Sequence, residues 1–124
     1  MNSQTEAIHF TRGMSFSDGY VAGGTLYISG QQGPGPDGKL AGTDITQQTT
    51  SAISSIRKIV EEAGFRMSDI VSVTIYFTDL NDVPGMNAVY KELVPDPKPA
   101  RAAVQVAGLI GGARIEIAAI AVKR

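Results

Sequence analysis

The chain has 124 residues, 43% of them apolar and 19% charged, with no cysteine and one histidine, His9. One domain is expected at this length, large enough to bury a core without a staple; the missing thiols exclude disulfides, a cysteine nucleophile and thiolate metal sites, and a lone imidazole excludes a multi-histidine one. The 11 basic and 12 acidic side chains leave a formal charge of −1 with no basic run longer than two, so nucleic acid is not an expected partner.

In chain order, Tyr20-Val-Ala and Thr25-Leu-Tyr-Ile-Ser29, joined by Gly23-Gly24, predict a β-hairpin. Gly33, Gly35 and Gly38 match G-x-G-x-x-G literally. A dinucleotide loop would have to open directly into a helix, however, and two prolines there remove amide donors, so Pro36-Asp37-Gly38 reads as a turn between strands. Leu40-Ala41 is a candidate short strand. Residues 44–63 predict a helix capped by Asp44, with Gln47 three residues on, an apolar face of Ile45, Ala52, Ile53, Ile56, Ile59, Val60 and Ala63, and Gly64 as its stop.

Residues 71–78 alternate, Val71, Val73, Ile75 and Phe77 against Ser72, Thr74, Tyr76 and Thr78, which predicts a half-buried strand. Asn81-Asp82-Val83-Pro84 starts a second helix with the stripe Val83, Met86, Val89, Tyr90 and Leu93, ended by Pro95, Pro97 and Pro99. Strands are expected near 102–107 and 114–122, with Ile110-Gly111-Gly112 as a hairpin connection. The order β-β-(β)-α-β-α-β-β describes an α+β domain spanning 1–124. Both faces of the last strand are apolar, yet two helices cover only one face of a sheet. A second copy of the chain is the expected cover, which predicts a closed homo-oligomer. No apolar run approaches the ~18–20 residues of a spanning helix and the N-terminus is polar, so no membrane partner and a cytoplasmic location are expected.

Few residues carry chemistry. His9 could serve as a base, but no serine sits in a nucleophile elbow, and a structural or solvated role is the simpler expectation. Asp79, Asn81 and Asp82 lack the alternate spacing of a calcium loop, and helix capping accounts for Asn81 or Asp82. Arg101 and Glu116 form the candidate constellation. Glu116 shares its face with Ala118, Ile120 and Val122, where a carboxylate needs a partner. Two readings stay open: a buried ion pair brought together by the final hairpin, or a pocket in which an arginine fork takes a substrate carboxylate beside a carboxylate that activates water.

Pro99-Ala-Arg101-Ala-Ala-Val, with Ile115-Glu116-Ile117 following, resembles the C-terminal signature of the RidA/YjgF family of imine deaminases, long described as translation-inhibitor endoribonucleases. Leu26-Tyr-Ile-Ser29-Gly30-Gln31, Ile59-Val-Glu-Glu-Ala-Gly64, and Phe77-Thr-Asp79-Leu-Asn81-Asp82 with Met86-Asn87-Ala-Val-Tyr90 are similar to further family motifs, and the likeness runs over about 16–124. The resemblance implies a chorismate-mutase-like α+β fold with two helices on one face of a mixed sheet. It also implies a homotrimer with sheets packed inward and sites between subunits. The implied reaction is hydrolysis of 2-enamine/2-imino acids to 2-keto acids and ammonia, with no metal or organic cofactor.

Residue by residue, the resemblance implies that Arg101 grips the substrate carboxylate and Glu116 positions and activates water. Ser29, Gly30 and Asn87 line the pocket, and Ala103 supplies backbone contacts. Phe16 stands where the family has a tyrosine, Ala118 where it has a second glutamate, and Leu109-Ile110 where it has Leu-Pro. Without that tyrosine hydroxyl, the same scaffold could instead bind or sense a small carboxylate such as a 2-keto acid.

Overall fold

The computed structural model describes residues 5–9, 14–33 and 39–123. Within them run β1 (Thr5–Ile8), β2 (Gly19–Ala22), β3 (Thr25–Gln31), α1 (Ile45–Glu62), β4 (Ile70–Phe77), α2 (Val83–Leu93), β5 (Ala100–Gln105) and β6 (Ile115–Val122). The strands form one six-stranded sheet in the order β1-β2-β3-β6-β4-β5. Every pairing is antiparallel except β4–β5, whose parallel register requires the crossover that α2 supplies. This is the expected α+β architecture, with α1 packed on β3, β6 and α2.

Local sequence explains the element ends. The Asp44 carboxylate accepts from the Gln47 amide at 2.8 Å and so starts α1. Its end is a Schellman turn: Phe65 N–H donates to Val60 O, Gly64 N–H to Glu61 O, and Gly64 takes φ +79°. Pro84 sits in the first turn of α2, where its missing N–H costs nothing. Val73, Ile75 and Phe77 of β4 face the helices together with Leu26, Ile28, Ile115, Ile117, Ala119 and Ala121, and the apolar face of α1 closes over them with Met86 and Tyr90. Among the described residues no helix is long and apolar enough to cross a membrane.

The structure departs from the sequence reading in four places, one a strand not included there and three corrected expectations. Thr5–Ile8 is a strand although its first residues are polar, because as the sheet's outermost strand it buries only Ile8. Leu40 makes an isolated bridge, not a strand. A register shift between Ile70 and Ser72 buries Ile70 and leaves Val71 exposed, so Val71 does not share the face of Val73. The fourth concerns β5 and β6, which are not hairpin partners: β4 lies between them and pairs with both, because α2 carries β5 across to the far edge of β4. The Gly/Pro-rich turn at 34–38 lies outside the described residues, and the next helix begins only at Ile45.

Among the described residues no helix covers the sheet face away from α1 and α2. One row across it is Tyr20–Tyr27–Ile120–Ser72. Tyr20, Tyr27, Val104 and Val122 on this side are all exposed. The edge strand β5 is exposed along all six residues.

Candidate active site

Strand register decides where Arg101 and Glu116 lie. Arg101 pairs with Val73, which pairs with Ala119, so Arg101 ends a row on the helix-covered face. Glu116 pairs with Tyr76 and points to the bare face. It lies three residues along β6 from Ala119, about 10 Å at the usual strand rise of ~3.3 Å, and two strands over. Within one protomer the two charges therefore form no ion pair, and the buried-pair reading falls because the expected hairpin does not exist.

Arg101 is aimed by α2. Its guanidinium donates to Asn87 Oδ1 at 2.8 Å, lies against Met86 Sδ at 3.9 Å, and sits 4.9 Å from the centre of the Tyr90 ring. Asn87 and Tyr90 are three apart on the helix, so they share the face turned to β5. A cleft of about 370 Å³ opens here, lined by Asn87, Tyr90, Lys91, Lys98, Pro99 and Arg101. Lys98 is engaged with the main-chain carbonyls of Lys91 and Val94, which leaves Arg101 as the fork presented to an anion. Tyr90 is buried and its hydroxyl has no hydrogen-bond partner among the described residues. Burial pushes its phenol above the usual tyrosine value, with Arg101 pulling the other way. The phenol stays neutral under its cation. Ala103 lies on the same exposed edge strand.

Glu116 is held by β3. Its Oε1 accepts from Gln32 Nε2 at 3.2 Å. An ideal Cβ built on Gly30 would land 2.2 Å from Glu116 Oε2, so the carboxylate lies over the bare Cα of Gly30. A side-chain carbon at this position would push the carboxylate aside, so glycine keeps this place open for Glu116. Ser29 Oγ donates to Ser17 O at 2.6 Å and Ser29 N–H donates to Asp18 O at 2.9 Å. Those bonds draw the segment carrying Phe16 alongside Ser29 and Gly30. Phe16 is itself 47% exposed. A second cleft, about 640 Å³, is lined by Gln32, the partner of Glu116, and by Lys39, Leu40, Gly42, Thr43, Ile110 and Gly111.

The seven candidate residues thus fall into two groups on opposite faces: Asn87, Arg101 and Ala103 with α2 and β5, and Phe16, Ser29, Gly30 and Glu116 with β3 and β6. His9 joins neither; its Nε2 is 3.2 Å from Ser17 Oγ. Asp79 caps the turn at Leu80–Asp82 by accepting from Asn81 N–H, and Asp82 pairs with Arg114 at 2.8 Å. The capping group is therefore Asp79, not Asn81 or Asp82. Among the described residues no three histidine or acidic side chains converge on a metal-sized site. Sequence reasoning missed Gln32 and the aiming role of Tyr90. The three-residue step from Asn87 to Tyr90 was a usable signal for the second. Nothing local marks the first.

The family model described as Endoribonuclease L-PSP matches residues 9–123. The chain belongs to the RidA/YjgF family. It is 41% identical over 109 residues to a RutC family protein of Pyrococcus abyssi, covering 87% of this chain and 86% of that protein. It is 38% identical over 109 residues to a goat protein named 2-iminobutanoate/2-iminopropanoate deaminase, covering 87% and 80%. The crystal structure of RidA from an Antarctic Psychrobacter superposes with a TM-score of 0.88 at 34% identity, covering 94% of this chain and 98% of that one. The RidA/YjgF chain described here thus has deaminase-named relatives over most of its length.

Proposed function

We propose that this protein, a single RidA-type domain, hydrolyses reactive 2-imino acids and their enamine tautomers to 2-keto acids and ammonia. The site would be assembled between protomers of a cytoplasmic homotrimer. The observation that carries this reading is the division of the site. Arg101 and Glu116 are each held ready by neighbours, yet they occupy opposite faces of one sheet. A single chain cannot bring them to one substrate, but the bare face of one copy set against the β5 edge of the next can. The exposed tyrosines of the bare face and the unpaired edge of β5 both call for such a cover.

In this reading Arg101 pairs with the substrate carboxylate through its fork, with Asn87 beside it, while the β5 backbone at Ala103 and the Ser29-Gly30 backbone line the pocket. Glu116 takes a proton from water as the oxygen attacks the carbon of the protonated imine, giving a neutral carbinolamine. Glu116 returns that proton to the nitrogen, the C–N bond breaks as ammonia leaves, and the hydroxyl proton passes to Glu116 as the carbonyl forms. The chemistry needs water, a base and an anchor for the carboxylate. Phe16, exposed and next to the Ser17 that bonds Ser29, has no hydroxyl to donate. That missing donor favours the second reading, a protein that binds 2-keto acids without turning over imines.

The test generates an imino acid with an amino-acid oxidase and follows how much escapes to a semicarbazide trap. Wild type should lower the trapped yield, and Arg101→Ala and Glu116→Ala should not. Co-expressing the two inactive chains should restore about a quarter of the sites in randomly mixed trimers, because one interface in four draws both intact residues. Saturable keto-acid binding with no effect on trapping would favour the binding protein. Activity in a monomeric variant would refute the shared site.

A further inference from the structure

We infer that Gln32 is a positioning residue for Glu116. The inference deepens the hydrolytic reading above and rests on it. β3 pairs irregularly with β6. Ile28 pairs with Ala119, but Gln31 pairs with Ile117, so Ser29 and Gly30 together oppose Ala118. This bulge flips the alternation beyond it. An unbroken ladder would set Gln31 opposite Glu116 on the bare face. With the bulge, Gln31 is buried on the helix side, where its Oε1 accepts from Ser55 Oγ at 2.6 Å, and Gln32 arrives opposite Glu116.

The Gln32 amide then has two acceptors. Nε2 donates to Glu116 Oε1 at 3.2 Å and to Ile110 O at 2.9 Å. A carboxylate and a carbonyl can only accept, so the amide nitrogen must lie on this side, and its two hydrogens match two acceptors. The amide holds Oε1, and Oε2 lies over the bare Cα of Gly30. Oε2 accepts from no side chain among the described residues and is the oxygen left for water. Through Ile110 O the same amide anchors Glu116 to the turn Ile110–Gly112, one wall of the larger cleft. Gln32 touches no reacting atom. It sets where the base stands, and small displacements of a base are costly in rate.

The test has two arms. In the first, the side-chain amide signals of Gln32, assigned by their loss in Gln32→Met, are followed by nitrogen-15 NMR. Glu116→Ala should move them. In the second, Gln32→Met, equal in length and without a donor, should lower kcat about 10-fold in the imine-trapping assay. KM should stay within about two-fold, and the loss should vanish in a Glu116→Ala background. A melting temperature equal to wild type separates misplacement from unfolding. Unmoved amide signals, an unchanged kcat, or a loss expressed in KM would each overturn the inference while leaving wild-type turnover, and so the reading, intact. A wild type without imine hydrolysis removes the reading and the inference together.

Discussion

The two halves of the site are built differently. Arg101 stands on an edge strand with a neighbour on one side only, and every residue of that strand is exposed. Its direction comes from a helix: Asn87 takes one hydrogen bond and Tyr90 offers a ring face. Glu116 stands on a strand flanked by β3 and β4, and its direction comes from the bulge in β3 that brings Gly30 under it and Gln32 beside it. A long cation on an edge loses rotamer entropy when it binds unless something has already ordered it. A shorter carboxylate between two strands is ordered by backbone geometry. On the proposed roles, anchoring and proton transfer would be tuned from separate elements. Changes in α2 should appear in KM, and changes in β3 in kcat.

The largest effect should come from removing the base. Glu116→Ala should lower kcat by roughly 10²–10⁴-fold with little change in KM, the range of a lost general base. Gly30→Ala should come next and is the sharper probe. Its Cβ would meet Glu116 Oε2 at 2.2 Å, so the carboxylate must swing away, while the backbone there needs no left-handed conformation. Turnover should fall by about 10²-fold with the thermal midpoint nearly kept. An active Gly30→Ala protein would show that the position of the carboxylate over that glycine does not matter. On the other half, Arg101→Ala should raise KM by roughly 10–100-fold, as expected for losing charge-assisted bonds to a carboxylate. Arg101→Lys should recover only part of this, since an ammonium lacks the fork. If KM holds and kcat falls instead, the division of labour between the halves is wrong.

How far the sequence disclosed these halves follows the same division. The α2 stripe of Val83, Met86, Val89, Tyr90 and Leu93 and the alternation from Val73 to Phe77 were legible, because each is local periodicity with its signal inside one element. So was the apolar character of both faces of β6, which pointed to a bare face. Pairing was not legible. The turn at Ile110–Gly112 looks like a hairpin connection, but α2 makes β4–β5 a parallel pair and inserts β4 between β5 and β6. That one topological fact moves Arg101 and Glu116 from neighbours to opposite faces. Gln32 was hidden for a related reason: a one-residue bulge reverses which of two adjacent glutamines faces Glu116, and periodicity cannot count a bulge it does not see.

The smallest effects separate the two supports of Arg101. Tyr90→Leu removes the ring under the guanidinium, and KM should rise about 3–5-fold, the scale of a partly exposed cation–π contact. Tyr90→Phe keeps the ring and removes a buried hydroxyl that has no partner among the described residues, so KM should not change and the melting temperature should hold or rise. The pH dependence gives this prediction a sign. Burial raises the Tyr90 phenol above its ordinary value of 10.0. At neutral pH both the folded and the unfolded chain carry it protonated, and it adds no slope. As pH climbs past the ordinary value, the unfolded chain ionises it while the folded one does not, so wild type loses stability there. Tyr90→Phe lacks that term. The gap in melting temperature between variant and wild type should therefore widen from pH 9 to pH 11, with the other tyrosines common to both. A gap that stays constant would mean that the hydroxyl reaches water or a hydrogen-bond partner in solution. A Tyr90→Phe protein with the KM of Tyr90→Leu would transfer the aiming of Arg101 from the ring to the hydroxyl.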